Sequence, residues 1–349
     1  MKKKKILIAP LDWGLGHATR CIPIARALEK KGYEVLFCAA SRSLDLLIKE
    51  FPRNQFIKLE GYNITYPKNG WMIFSMIFQS FRILNKIRKE HKDLKQIITD
   101  FEIDGIISDN RYGMYNKTIP SVFITHQVNI QSPILSILIR KVNLWFINKY
   151  QECWIPDTEQ NILSGSLSKI KIENHNFKFI GPLSRFKKID ATKKIDILAI
   201  VSGPEPQRSI FENLLKKQLL DSGKNSILVL GKTEANKEEK IENLTVLNHL
   251  PSKELNQAMS NSEIVISRSG YSTIMDLAAL DKKAIFIPTP GQTEQIYLAN
   301  LFAEQKVAFA QHQHDFELEK ALEESKKYSG FKIEMATDNF KNLFKIFEA

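Results

Sequence analysis

The sequence has few cysteines and no long apolar run. Its 349 residues include three cysteines, Cys21, Cys38 and Cys153. They are widely spaced and form no C-x-x-C pair, which excludes a disulfide framework and indicates a reducing compartment. The basic first residues are followed by an apolar stretch that ends at Pro10 and Asp12, which is too short for the core of a signal peptide. We therefore expect a cytoplasmic protein.

Several nucleotide-binding motifs are also missing. No G-x-x-x-x-G-K-[ST] sequence occurs, which disfavours a nucleotide triphosphatase. The turn with Gly14 and Gly16 has Thr19 where the dinucleotide fingerprint requires a third glycine, so a nicotinamide or flavin cofactor is not expected. The loops contain no D-x-D pair suited to a metal-bridged diphosphate, and no nucleic-acid reader motif is present. We therefore expect no cofactor, no metal and no nucleic-acid partner.

The net charge of +11 lies entirely in the first half of the chain. Residues 1–180 hold 27 Lys and Arg against 16 Asp and Glu, whereas the remaining residues hold 23 of each. A basic half attracts polyanions such as anionic lipid headgroups or a phosphate-bearing substrate. Two stretches of this half, 71–91 and 133–147, combine apolar and basic residues. They either lie on an anionic membrane surface or form buried core helices, and a solvated lysine-rich surface also explains the charge.

Short β-rich apolar runs alternate with helical periodicity, which is typical of parallel α/β architecture. A Gly-Pro pair and a lysine-rich stretch separate two such halves. We predict one domain over 1–182, a second over 183–330, and a C-terminal helix over 331–349 that packs back across the junction. Six strands are predicted in the first half and five in the second, with helices over 17–31, 42–50, 71–98, 133–149, 157–165, 207–220, 252–260, 270–280 and 293–304. Ligands bind beyond the carboxyl ends of parallel strands, so the loops of the two sheets are expected to line a cleft.

A histidine follows the glycine turn after the first predicted strand. His17 stands at the start of a helix, where the positive helix end lowers the pKa of an imidazole and favours a neutral, proton-accepting ring. A catalytic base needs a partner on its other ring nitrogen, and Asp109 is the candidate in the same half. His126 and Asn129 follow another strand and are predicted to line the same pocket. The alternatives are a capping or packing histidine at position 17 and a structural one at position 126.

In the stretch 263–302, a predicted strand leads into a helix that begins with small residues. Exposed amide groups at such a helix start bind a phosphate or a diphosphate. An acidic residue one turn later is placed to hold ribose hydroxyls, and a further helix opens with two residues that hydrogen-bond a polyol. The residues concerned are Arg268, Ser269, Gly270, Ser272, Thr273, Asp276, Glu294 and Gln295. The alternative is an ordinary βαβ unit.

This stretch resembles the carboxyl-terminal signature of glycosyltransferases with the GT-B fold, especially the MurG-type enzymes that use UDP-N-acetylglucosamine. The glycine turn with His17 is similar to their acceptor loop, and H-Q-V-N at 126–129 is similar to their H-E-Q-N segment. The letters G-L-G-H-A-T-R-C also resemble the UDP-sugar hydrolases of pseudaminic acid synthesis. The resemblance implies an α/β protein of the GT-B fold, with two Rossmann-like parallel-sheet domains facing across a cleft.

The resemblance also implies roles for individual residues. The donor diphosphate would lie against the helix start at 269–273 with Arg268, the ribose against Asp276, and the sugar against Glu294 and Gln295. The nucleobase would lie beside Leu250, which follows His249. The loop at 202–208 matches a glycine-rich phosphate loop of the family, with Gly203 as its single glycine.

The implied reaction is inverting, metal-independent transfer of a sugar from a UDP-sugar, with His17 as the base and Asp109 as its partner. The acceptor is a hydroxyl group on a sugar or lipid-linked molecule, and the protein would work in the cytoplasm or peripherally on the inner face of the membrane. Two alternatives stay open. One is a UDP-sugar hydrolase in which His17 activates water, and the other is a non-enzymatic binding module.

Overall fold

The chain folds into two units, each built around a seven-stranded sheet. The first comprises Met1–Ile162, Ser166–Leu183 and Ala336–Ala349, and the second comprises Leu163–Gly165 and Ser184–Met335. The computed structural model describes residues 2–62, 72–130, 136–170, 176–190, 195–232, 237–332, 340 and 342–348, with the backbone alone for 72–81 and 136. The predicted helices over 71–98 and 133–149 and the lysine-rich stretch between the two halves therefore include residues outside this description, namely 71, 133–135 and 191–194.

The sheet of the first unit is parallel throughout. Its strands are β1 (Lys5–Pro10), β2 (Glu34–Ala39), β3 (Gln55–Lys58), β4 (Gly105–Asp109), β5 (Ser121–Ile124), β6 (Glu152–Ile155) and β7 (Phe177–Phe179). Their order is β3-β2-β1-β4-β5-β6-β7. The central strands are almost wholly buried, because helices cover both faces of a parallel sheet. This burial explains why their sequences are continuous apolar runs.

The helices of the first unit are α1 (Gly16–Lys30), α2 (Ser41–Glu50), α3 (Met72–Phe101) and α4 (Ser136–Ile147). The helix predicted over 157–165 is wrong, since the chain makes turns there and a short 3₁₀ helix at Gly165–Leu167. Asp157 Oδ1 accepts from the backbone N–H of Thr158, and Asn161 has a φ of +55°; such local bonds compete with helix formation. Among the described residues, no helix is both long and apolar enough to cross a bilayer.

The sheet of the second unit is parallel except at one edge. Its elements are β8 (Ile195–Ile200), α5 (Gln207–Asp221), β9 (Ser226–Val229), β10 (Glu238–Ile241), β11 (Leu244–Leu247), α6 (Ser252–Asn261), β12 (Ser262–Ser267), α7 (Tyr271–Ala279), β13 (Lys283–Phe286), α8 (Thr293–Glu304), β14 (Phe309–Ala310) and α9 (Leu318–Ser325). The strand order is β10-β11-β9-β8-β12-β13-β14, and β10 runs antiparallel to β11. Sequence reasoning missed three of the fourteen described strands: β7, which has three residues, β10, which is charged, and β14, which has two residues.

The described part of the C-terminal segment packs on the first unit. Leu343–Phe347 forms a 3₁₀ helix in place of the α-helix expected there, and residues 333–339, 341 and 349 lie outside the described residues. The rings of Phe344 and Phe347 lie 6.1 and 6.3 Å from Trp154. A Cβ atom placed on Gly105 would lie 2.5 Å from Phe347 Cδ1, so the close approach of this ring to β4 requires glycine.

Candidate active site

The connection between β1 and α1 is an open glycine turn that ends at His17. Gly14 has a φ of +77°, and a Cβ atom placed on it would meet no atom within 4 Å. The turn therefore needs glycine for its conformation and leaves space beside its backbone. Gly16 begins α1, and His17 is the second residue of that helix.

The sheet brings His17 next to Asp109. Strands β1 and β4 are neighbours, and Pro10 is the register partner of Asp109 at their carboxyl ends. Nδ1 of His17 lies 2.9 Å from Oδ1 of Asp109. Asp109 is fully buried, whereas the side chain of His17 is 14% exposed. Within the described part of the chain, no hydrogen bond to Nε2 of His17 is present, so this nitrogen is the one available to a substrate.

Arg20 is a third member of this cluster, and sequence reasoning missed it. It is 2% exposed and donates from Nε and Nη2 to the two carboxylate oxygens of Asp109. Nη2 also lies 2.8 Å from Nδ1 of His17, and Nη1 lies 3.3 Å from Nδ1 of His126. The signal was present in the sequence, because residues three apart on a helix share a face.

The charges of this cluster determine which groups carry a proton. Burial alone would raise the pKa of Asp109, but the charges and hydrogen bonds of Arg20 and His17 lower it to about 2, so the carboxyl group stays ionised. Burial and the charge of Arg20 lower the pKa of His17, against the opposing effect of Asp109. The imidazole is therefore neutral at pH 7, which is the state a general base requires. Burial raises the pKa of the Cys21 thiol well above its usual range, so this thiol is not a nucleophile.

The other two residues predicted for this pocket have different surroundings. His126 is buried and contacts Arg20, so it belongs to the same cluster. Asn129 donates from Nδ2 to the backbone carbonyls of Ser166 and Lys169, at 2.9 and 2.7 Å. Its side chain holds that segment of the backbone. The geometry thus gives Asn129 a structural role, and the expected substrate contact stays a prediction.

In the second unit, β12 leads into α7 through an open helix start. Gly270 is the N-cap residue, and it has no side chain of its own to cap the first turn. A Cβ atom placed on Gly270 would meet no atom within 4 Å. Ser272 and Thr273 follow in the first turn and are half-buried. This helix start offers its amide groups and its positive dipole end to an anion.

The two residues before Gly270 point into the second unit. Arg268 is buried, and its guanidinium donates to the carbonyl oxygen of Ile287 at 2.9 Å and to Oε1 of Gln313 at 2.6 Å. Burial lowers the pKa of Arg268 to about 10. The hydroxyl of Ser269 is also buried and donates to the carbonyl oxygen of Gln295 at 2.6 Å. Both side chains therefore support the loops around the helix start, and the phosphate contacts expected of them stay a prediction.

Asp276 lies in the second turn of α7 and is half-buried. The hydroxyl of Ser184 donates to its Oδ1 at 2.6 Å. Burial raises the pKa of Asp276 to about 6, although the charge of Arg185 and the bond from Ser184 act in the opposite direction. A neutral side chain would make the folded state more stable than this buried carboxylate does. A charge kept at such a position is a candidate for ligand binding.

The loops after β8 and β13 approach each other at Thr289. Its backbone N–H donates to Oε1 of Gln295 at 2.8 Å, and Glu294 lies half-buried in the first turn of α8. Gly203 has a φ of +106°, and a Cβ atom placed on it would lie 3.3 Å from Oγ1 of Thr289. That buried hydroxyl has no hydrogen-bond partner among the described residues, and nothing in the sequence pattern singled it out. Leu250 is half-buried between β11 and α6.

Comparison with known proteins identifies the activity class. Residues 198–347 match the family model of the glycosyltransferase family 28 C-terminal domain. The chain is 27% identical over 318 residues to an uncharacterized glycosyltransferase of Methanosarcina mazei, covering 83% of this chain and 81% of the relative. It is 24% identical over 309 residues to the UDP-N-acetylglucosamine–N-acetylmuramyl-(pentapeptide) pyrophosphoryl-undecaprenol N-acetylglucosamine transferase of Buchnera aphidicola, covering 85% and 81% of the two chains.

The fold is also that of a solved glycosyltransferase. The glycotransferase of kitacinnamycin superposes with a TM-score of 0.62 at 13% identity, over 100% of this chain and 96% of that one. The chain is a glycosyltransferase with the GT-B fold. The expected α/β fold with two parallel-sheet domains and the expected enzyme class are confirmed. Among the residues that the structure describes in this glycosyltransferase, no group of three His, Cys, Asp or Glu side chains is placed to hold a metal ion.

Proposed function

We propose that this glycosyltransferase moves a sugar from a UDP-sugar, such as UDP-N-acetylglucosamine, to a hydroxyl acceptor with inversion at the anomeric carbon. The name of the Buchnera aphidicola relative specifies UDP-N-acetylglucosamine, which supports this donor class. The observation that carries the mechanism is the 2.9 Å contact between Nδ1 of His17 and Oδ1 of Asp109, beside the open turn at Gly14. It provides an oriented and neutral imidazole at the edge of a sheet where ligands bind.

In this mechanism His17 is the general base. Its Nδ1–H donates to Asp109, and Nε2 takes the proton of the acceptor hydroxyl as the oxygen attacks the anomeric carbon. The bond between that carbon and the diphosphate oxygen breaks, and UDP leaves with the bonding electron pair. Attack and departure on opposite faces of the sugar invert its configuration. Asp109 keeps the ring in the required orientation.

The second unit holds the donor in this proposal. The amide groups at residues 270–273 stabilise the negative charge that grows on the diphosphate as UDP leaves, without a metal ion. Asp276 accepts hydrogen bonds from the ribose hydroxyls. Glu294 and the amide N–H groups of Gln295 bind the transferred sugar, since Oε1 of Gln295 is already used by the backbone of Thr289.

The His17→Ala variant tests this function. General-base removal is expected to lower turnover by about 10²- to 10⁴-fold, while UDP binds with nearly unchanged affinity because its proposed contacts lie in the second unit. Turnover is measured with UDP-N-acetylglucosamine and a panel of hydroxyl acceptors, and affinity by titration calorimetry with UDP. His91→Ala is the matched control, since that ring stacks on Tyr115 at 4.2 Å outside the cluster.

Three results would contradict parts of the proposal. An equal loss of UDP affinity and turnover in His17→Ala would make the histidine structural. Fast release of UDP from UDP-N-acetylglucosamine without an acceptor would favour the hydrolase. A higher turnover with another nucleoside diphosphate sugar would identify a different donor.

We also propose that the first unit reaches its acceptor at an anionic membrane surface. One face of α4 carries exposed apolar residues that are between 46% and 73% accessible, namely Ile137, Leu138, Val142 and Trp145. The exposed side chains of Arg140 and Lys141 lie on the same helix, and Lys149 Nζ lies 3.7 Å from the centre of the Trp145 ring. An apolar face with basic residues fits a bilayer with anionic headgroups. The opposite side of α4 is buried at Asn143, Phe146 and Ile147, so the helix also forms part of the core.

A further inference from the structure

Arg20 is a buried cation within the cluster that contains the proposed base. Burying a guanidinium is costly unless its N–H groups are paired, and three polar side chains surround this one: Asp109, His17 and His126. An ion pair with Asp109 alone would satisfy the charge. The additional contacts with two imidazoles therefore call for an explanation in terms of the histidines.

Nδ1 of His17 has two neighbours with opposite requirements. Oδ1 of Asp109, at 2.9 Å, accepts hydrogen bonds because the carboxyl group is ionised. Nη2 of Arg20, at 2.8 Å, donates hydrogen bonds and accepts none. With the proton on Nδ1, Nε2 carries a lone pair and the ring can act as a base. With the proton on Nε2, Nδ1 accepts from Arg20 and the ring cannot take a proton from a substrate.

The other bonds of Arg20 favour the first arrangement. Its Nε and Nη2 donate to both oxygens of Asp109 as a fork, which fixes the carboxylate in position. Its Nη1 lies 3.3 Å from Nδ1 of His126, which supplies a further acceptor. The fork fixes Oδ1 of Asp109 at 2.9 Å from Nδ1 of His17, where it accepts the proton of the Nδ1–H tautomer.

We propose that Arg20 is a positioning residue for sugar transfer: it fixes Asp109, keeps the proton of His17 on Nδ1, and keeps the ring uncharged between turnovers. This inference rests on the proposed role of His17 as the base. Among the residues that the structure describes, the titratable or charged groups that face the ring are Asp109 from β4, Arg20 from α1 and His126 after β5. Without Arg20, the full charge of Asp109 would stabilise the imidazolium form, which cannot accept a proton.

The proton arrangement of His17 is measured by NMR on the full chain labelled with ¹⁵N-histidine, with its signal assigned from His17→Gln. In the unsubstituted protein we expect the Nδ1–H tautomer at pH 7. Arg20→Gln should move the pH midpoint of the His17 titration upward by about one pH unit or more, as expected when a cation within hydrogen-bond distance is removed. Arg20→Lys retains a positive charge and should give a smaller upward shift.

Arg26→Gln is the matched control. Arg26 lies on the same helix and pairs with Glu50, with its side chain half exposed, so this variant should leave the midpoint of His17 unchanged. In release of UDP from UDP-N-acetylglucosamine with an acceptor, the acid limb of kcat/KM for Arg20→Gln should move in the same direction as the NMR midpoint. A packing role would lower the rate without moving the limb.

Two results overturn the inference: an Nε2–H tautomer of His17 in the unsubstituted protein, or an unchanged midpoint in folded Arg20→Gln. If Arg20→Gln does not fold, the tautomer of the unsubstituted protein and the midpoint in Arg20→Lys decide the question. The NMR readout needs no turnover. A midpoint that moves as expected in a protein that releases no UDP would therefore support the effect of Arg20 on His17 and count against the proposed function.

Discussion

Replacement of Asp276 by asparagine should stabilise the second unit and weaken donor binding at the same time. The substitution keeps the shape of the side chain, and the asparagine Oδ1 can still accept from the hydroxyl of Ser184, which lies 2.6 Å from Oδ1 of Asp276. It removes the charge that burial makes unfavourable. A residue whose charge lowers stability but supports binding is expected at a functional site.

The size of the effect follows from proton linkage. The pKa of Asp276 is raised from 3.8 to about 6 by burial, so the folded state binds the proton more tightly than the unfolded state does. Stability therefore falls as the pH rises from about 4 through about 6, by up to about 3 kcal/mol for a difference of roughly two pKa units. Because the residue is half-buried and solvent screens part of this cost, we expect Asp276→Asn to gain about 1–2 kcal/mol at pH 8.

The assay measures the Tm for thermal unfolding of the second unit at pH 4 and at pH 8. A gain of 1–2 kcal/mol corresponds to a rise in Tm of roughly 2–8 °C for a unit of this size, and at pH 4 the difference should largely disappear. UDP affinity at pH 8 should fall about tenfold or more, since a hydrogen bond to a charged group contributes about 1.5–3 kcal/mol. Asp221→Asn, at an exposed position of α5, is the matched control.

Two outcomes would refute this reasoning. The first is a Tm of Asp276→Asn at pH 8 below that of the unsubstituted protein, or a difference in Tm between the two proteins that is the same at pH 4 and pH 8. Either would show that burial of the charge is not unfavourable. An unchanged affinity for UDP would show that the carboxyl group does not contact the nucleotide.

The remaining predictions concern packing and the membrane. Gly105→Ala should destabilise the first unit by about 1–3 kcal/mol in denaturant unfolding, because its Cβ atom would overlap the ring of Phe347; a Phe347→Leu background should reduce the loss, and an equal loss in both would place the cause elsewhere. Trp145→Glu should lower cosedimentation with vesicles that contain phosphatidylglycerol severalfold, whereas Ile210→Glu, at an exposed apolar residue of α5, should not. Binding that is unaffected by Trp145→Glu, or equal on neutral vesicles, would refute a membrane role for this face of α4.

Much of the fold was predictable because buried parallel strands leave a simple pattern. β1, β4 and β5 are short apolar runs whose residues are almost all buried, and such runs between helical stretches indicate α/β units directly. β14 has two residues and β10 reads Glu-Glu-Lys-Ile, so neither carries an apolar signal. The error at 157–165 has a different cause, since side-chain bonds to the backbone there override helical spacing.

The candidate site was predictable where strand order alone brings residues together. Asp109 ends a strand next to β1, so its proximity to His17 follows from parallel register, and the structure gives the distance as 2.9 Å. Arg20 was missed because an arginine inside an amphipathic helix is usually exposed, and its burial depends on a carboxylate from a strand 89 residues away.

The motif Arg268-Ser269-Gly270 shows what a sequence cannot supply, which is the direction of each side chain. Its residue types suggest three phosphate ligands, yet the guanidinium of Arg268 and the hydroxyl of Ser269 both bind carbonyl groups in the interior. Those bonds anchor the loops after β12 and β13 and leave the backbone of Gly270 at an open helix start. In the proposed donor site, phosphate recognition then depends on backbone N–H groups, which every residue type except proline has. The side chains of the motif matter because they hold those amides in position.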